Sequence, residues 1–173
     1  MLEPTLNKTS KDMKNVSISK PKRESFIDRY QLWPFYRKRN FSEETLEAMR
    51  EVERKINEGY CPPDDEETHI SRNISGTNSN TKYKLVEEPR YLKGRQRMAE
   101  RGFDLDDLDY VVSLLCHGDR LPKRYDNHKL KGNTRGFMEC HIGYDWLLVY
   151  RYDRDNLVLY AVNTGSHKDI FGH

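Results

Sequence analysis

The chain has 173 residues, 35% hydrophobic and 34% charged, with 30 Lys and Arg against 28 Asp and Glu for a formal charge of +2. That balance excludes a partner chosen by bulk charge, and the scarcity of apolar residues excludes one core that takes in every segment; part of the chain is expected to lie on the rest. Three cysteines, Cys61, Cys116 and Cys140, form no CxxC pair, which fits a reducing cytoplasm rather than a disulfide framework. The start, "MLEPTLNKTSKDMK", lacks the apolar stretch of a signal peptide, and no run approaches the roughly 20 apolar residues of a membrane span, so a cytoplasmic protein without membrane contact is expected.

Residues 1–24 are polar and aperiodic and read as a disordered arm. Residues 25–69 form a second segment. Its first part, "FIDRYQLWPFYRKRNF", is dense in aromatics and needs a surface to lie on. Its second part, "SEETLEAMREVERKINE", predicts a helix over 42–58. Ser42 caps it, Glu43 and Glu44 suit the positive end of the dipole, and Leu46, Met49, Val52 and Ile56 recur at helical spacing before Gly59. Residues 70–81, rich in Ser, Asn and Gly, read as a flexible linker.

Residues 82–173 read as a small α+β domain. "YKLVEE" is a short strand and "PRYLKGRQRMAERG" a basic helix opened by Pro89. "DLDDLDYVVSLLCHG" is a second helix capped by Asp104, with Leu105, Leu108, Val111, Val112 and Leu115 on its core face. The short turn between them makes a helical hairpin. Three strands follow at 134–142, 145–152 and 156–162, joined by tight turns as an antiparallel meander that the hairpin covers on one face.

The phrases "HKLKG", "ECHIGYDWLLVY" and "TGSHKDIF", in that order, closely resemble the YafQ branch of the RelE/ParE superfamily of bacterial toxins. The resemblance spans about residues 82–172. It implies a RelE/ParE-like toxin fold and a ribosome-dependent mRNA endoribonuclease of a type II toxin–antitoxin system, with no cofactor and with mRNA and ribosomal RNA as partners. Upstream, residues 31–58 resemble the toxin-wrapping part of a RelB/DinJ-type antitoxin, which implies inhibition in cis, or an antitoxin of that type in trans.

RNA carries its own nucleophile, the 2′-hydroxyl. Cleavage then needs a base for that proton, an acid for the leaving 5′-oxygen and a cation for the phosphate. By the resemblance, His167 of "TGSH" is the general acid, and Asp145, His141 and His128 are catalytic positions. Asp145 acts either as a base or as the group that orients a histidine. Trp146 and Phe171 match aromatic positions able to stack on an unpaired base. Asn163, Lys129, Lys131 and Arg135 complete the expected substrate-binding set, and the arginines of the basic helix could meet phosphates. The family usually has an arginine where this chain has Asn163 and a basic residue at Met138, so a weakened site is expected. Two rival readings follow: a toxin fold that binds RNA, ribosome or antitoxin without cutting, and a ParE-like toxin with a protein target. Metal binding by Cys140 and the histidines is disfavoured, because paired ligand spacings are missing.

Overall fold

A computed structural model describes residues 40–63 and 81–172, all within one unit of the chain. The arm at 1–24, the greater part of the aromatic segment and residues 70–80 of the linker lie outside the described residues.

Helix α1 (Glu43–Asn57) forms where the sequence puts it: Ser42 Oγ accepts from Thr45 N–H, and Met49 and Val52 are buried. Strand β1 (Lys84–Glu87) leads into α2 (Pro89–Glu100), and α3 (Leu105–His117) follows with Asp104 as its cap and Gly118 in the left-handed region at its end. Three-residue 3₁₀ turns flank β2 (His128–Lys129). The meander is β3 (Phe137–Gly143), β4 (Trp146–Asp153) and β5 (Val158–Gly165), and a five-residue helix α4 (His167–Phe171) closes the described chain.

The five strands lie in the order β1-β5-β4-β3-β2. The meander is antiparallel as expected, but the sheet is mixed, because β1 joins β5 in parallel with Leu85 opposite Leu159. The α2–α3 hairpin lies between β1 and the meander in sequence and supplies the long crossover that a parallel pair needs. The last strand also runs further than the expected 156–162: Leu147, Leu148 and Val149 pair with Gly165, Thr164 and Asn163, so the pairing lasts until Ser166 caps α4.

Both faces of the sheet are covered. On one, α2 and α3 pack Tyr91, Met98, Leu108, Val112 and Leu115 against Cys140, Trp146, Leu148 and Tyr150. On the other, α1 and α4 pack Met49, Val52, Ile170 and Phe171 against Phe137, Leu147, Val149, Tyr160 and Val162. Helix α2 lies so close to β5 that a Cβ on Gly94 would stand 2.0 Å from the Thr164 carbonyl oxygen. Helix α1 is further tied down by Lys55 on the buried Glu88 (2.8 Å), Glu53 on Arg151 (3.1 Å) and Glu44 on Arg90. Among the described residues no helix is long and apolar enough to cross a membrane.

Candidate functional site

The face that carries α1 and α4 also carries the site. Side chains alternate along β3, so Glu139 and His141 point to this face, and pairing brings His128 of β2 opposite Glu139. The turn after Gly143 presents Asp145, and the end of β5 delivers His167 as the first residue of α4. Asp145 Oδ1 accepts two hydrogen bonds from His167, one from the backbone N–H at 3.0 Å and one from Nδ1 at 2.5 Å. A carboxylate can only accept, so Nδ1 carries a proton and Nε2 is the ring atom left for exchange. The His141 ring lies 5.6 Å from that of His167 and is nearly fully buried; the Phe171 ring stacks at 6.2 Å on the His167 ring.

Beside this pair lies a cleft of about 200 Å³ lined by Phe41, His128, Leu130, Lys131, Thr134, Glu139 and Phe171. His128 Nδ1 donates to the Asp126 carbonyl at 2.8 Å, and its Nε2 stands 3.8 Å from Glu139 Oε1. His167 stacks on Phe171, and Phe171 shares the cleft wall with His128, so two imidazoles able to exchange protons border the same region. His128, His141, Asp145, His167 and Phe171 are therefore brought together as the sequence suggests, with Lys131 at the cleft wall.

Several expected binding residues stand elsewhere. Trp146 is 2% exposed; its indole faces the hairpin core, Nε1–H donates to Thr164 Oγ1 at 2.8 Å, and Phe103 covers it edge-on at 5.3 Å, so it has no free plane for a base. Met138 and Lys129 sit opposite one another on the hairpin face of the sheet, away from His141, because their strand positions have the other parity. Arg135 is exposed and does not line the cleft. Asn163 does face the site side but is wholly buried beneath α1, where Nδ2 donates to Thr45 Oγ1 at 2.9 Å. The basic helix spends its arginines on carboxylates: Arg95 holds Asp109, Arg90 meets Glu44, and Arg97 and Arg101 converge on Asp169 at 3.0 and 2.5 Å. Burial raises the Asp169 carboxyl, but Arg101, Ser166 and Arg97 more than offset this and hold it well below the usual range.

Two groups of this site lay hidden in the sequence. Glu139 stands two residues before His141, so strand parity alone could have pointed to it. Thr45, 0% exposed, also donates from Oγ1 to the Ile170 carbonyl at 3.0 Å, and Ser42 N–H donates to the same oxygen at 2.9 Å; no local pattern announces such long-range contacts. Cys140 points into the hairpin core, where burial pushes its thiol up, so it does not converge with the histidines. Among the described residues no group of three or more His, Cys, Asp or Glu could hold a metal.

Residues 83–172 match the family model described as the bacterial toxin of type II toxin–antitoxin systems, YafQ. The mRNA interferase toxin YafQ of Escherichia coli strain K12 is 32% identical over 83 residues, 47% of this chain and 88% of that protein. The putative toxin YafQ of Haemophilus influenzae is 38% identical over 45 residues, 25% of this chain and 44% of that protein. Among solved structures, the E. coli DinJ–YafQ toxin–antitoxin complex is similar with a TM-score of 0.49 and 28% identity, over 53% of this chain and 99% of that one. The chain belongs to the YafQ family of bacterial type II toxins.

Proposed function

We propose that this chain is a ribosome-dependent mRNA endoribonuclease whose own N-terminal segment inhibits it. Residues 82–173 are the toxin, and residues 25–69 are an antitoxin-like strap joined by the linker at 70–81. The observation that carries the reading is the His167–Asp145 pair at 2.5 Å, which leaves one imidazole nitrogen free beside a cleft that holds a second histidine.

In this mechanism His128 Nε2 takes the proton of the 2′-hydroxyl, and Glu139 stabilises the imidazolium that results. The 2′-oxygen attacks the adjacent phosphorus as the bond to the 5′-oxygen breaks. His167 Nε2 protonates that leaving oxygen, giving a 2′,3′-cyclic phosphate and a 5′-hydroxyl. Asp145 fixes the His167 tautomer and supports its charged form, His141 backs the ring, and Lys131 supplies positive charge. Helix α1 blocks this chemistry by covering the same face, and a DinJ-type antitoxin in trans would compete for it. The second reading, a weakened toxin that binds RNA or ribosome with little cutting, is favoured by one feature: no arginine extends from position 163 into the cleft.

The test uses the full chain with Val52→Asp, which places a charge in the buried face of α1, on programmed ribosomes. Cutting of the mRNA by this variant but not by the Val52→Asp/His167→Ala double variant is expected, with a loss of about 10²–10⁴ in rate. Equal cutting by both would remove His167 from the chemistry.

A further inference from the structure

We propose that the Phe171 ring at the cleft beside His167 is the stacking surface for one unpaired nucleobase of the RNA, and that Phe41, which walls the cleft, covers that surface in the inhibited chain. The inference rests on the endoribonuclease reading and adds how the strap and the substrate exclude each other. Phe41 is the residue just before the α1 cap. Its ring lies 4.9 Å from the Phe171 ring at a tilt of 38°, within the range of attractive aromatic pairs. That places a flat ring over the aromatic side chain that itself stacks on His167.

Position is enforced from both sides. Ser42 N–H donates to the Ile170 carbonyl at 2.9 Å, and Thr45 Oγ1 does so at 3.0 Å, so the residues that follow Phe41 are tied to the turn that carries Phe171. With Phe41 as one wall the cleft keeps only about 200 Å³, below the roughly 300–1,000 Å³ of small-molecule pockets, and departure of that ring would enlarge it beside Phe171. The chemistry of the wall goes beyond what a phenyl ring can use. Glu139 accepts, Lys131 donates, and the Thr134 hydroxyl, whose proton goes to the Lys131 carbonyl at 3.0 Å, can accept, as can His128 Nε2. A nucleobase matches this mixture, with a π-face for Phe171, an amino edge for the carboxylate and ring acceptors for the lysine. Phe41 reproduces the π-face alone. Inhibition is thereby direct: a base cannot stack on Phe171 until Phe41 leaves, whatever happens at the phosphate.

Binding rather than cutting tests this. The probe is a labelled hexaadenylate with 2′-O-methyl riboses, which lacks the nucleophile, together with the same oligomer made abasic at its central positions. Full-length wild type and Phe41→Ala are titrated with both, and hydrogen exchange follows the amides of α1. We expect Phe41→Ala to bind the base-bearing oligomer about tenfold or more tighter than wild type. The abasic oligomer should show no such gain, α1 should remain protected, and Phe171→Leu in the same background should remove the gain. The proposal is overturned by equal affinities of wild type and Phe41→Ala, by a gain of the same size with the abasic oligomer, or by a gain that survives Phe171→Leu. It is equally overturned if Phe41→Ala exposes the α1 amides as fully as Val52→Asp does, since Phe41 would then serve only to dock the helix. Base-dependent binding without cutting in any variant would sink the enzyme reading and leave the subsite, whereas cutting without base-dependent binding would do the reverse.

Discussion

Replacing Asn163 by arginine should do two things at once. The wild-type amide is wholly buried, with Nδ2 2.9 Å from Thr45 Oγ1. An arginine there loses that hydrogen bond, worth about 0.5–1.5 kcal/mol, and overfills the space beneath α1 at a cost of about 1–3 kcal/mol. It also leaves a guanidinium buried and unpaired, which in comparable sites costs about 3–5 kcal/mol. Against this stands the docking of α1 through Met49 and Val52, about 1.5–3 kcal/mol for each buried side chain. The balance favours expulsion of α1, which opens the face and lets the new guanidinium reach the cleft. A donor of that kind at a developing phosphate charge is worth about 10²–10³ in rate. Hydrogen exchange at the α1 amides and cleavage on programmed ribosomes should therefore both rise, whereas Asn163→Ala should leave α1 docked. Protected α1 amides together with unchanged cleavage in Asn163→Arg would refute the reasoning. Undocking without faster cleavage than in Val52→Asp would refute the second half alone.

Gly94→Ala should lower stability by about 3 kcal/mol or more in thermal or denaturant unfolding, because the added Cβ meets the Thr164 carbonyl at 2.0 Å and α2 must move off β5; a cost below about 1 kcal/mol would contradict the close packing. Asp145→Asn in the Val52→Asp background should keep the fold but cut cleavage by about 10²–10⁴, since the amide no longer supports a charged His167; unchanged activity would make Asp145 a bystander. At pH 8 an alkylating reagent should label the exposed Cys61 and spare Cys140 and Cys116, the latter with its thiol pushed up to about 12 by burial; mass spectrometry of labelled peptides reads the outcome. The Asp169 carboxyl is held low in the fold, so its stabilising effect is complete above the ordinary carboxylate value near pH 4 and is lost only as pH falls through the depressed folded value. Unfolding midpoints should accordingly show no pH dependence from this group between pH 5 and 9, and Asp169→Asn should flatten the response in strong acid.

Much of this fold was legible because its elements carry local signals. The stripe of Met49 and Val52, the Asp104 cap and the turn at Gly118 mark helices within one or two residues of their observed ends. Strand partners are another matter: the apolar run at 84–87 shows a strand, but not that it lies parallel to β5. Facing was hidden for a related reason. Both sides of the sheet are covered, so β4 reads "WLLVY" without a polar alternation, and nothing local says that Trp146 turns to the hairpin while Leu147 turns to α1. Motif alone marks the histidines and Asp145 as candidates, whereas strand parity from His141 turns Lys129 and Met138 to the hairpin face. The arginines of α2 looked like a nucleic-acid patch because their acidic partners Glu44, Asp109 and Asp169 lie on other elements of the chain.

The central claim is that one chain holds both an RNA-cutting toxin and its inhibitor. Primer extension on a translated reporter mRNA in cells tests it most directly, with the full chain, Val52→Asp and the Val52→Asp/His167→Ala variant at matched levels. The account predicts few breaks with the full chain and strong breaks with Val52→Asp that vanish in the double variant and when translation of the reporter is blocked. Breaks of equal strength with the full chain and Val52→Asp would contradict inhibition by α1, and their absence in every variant would contradict the nuclease itself.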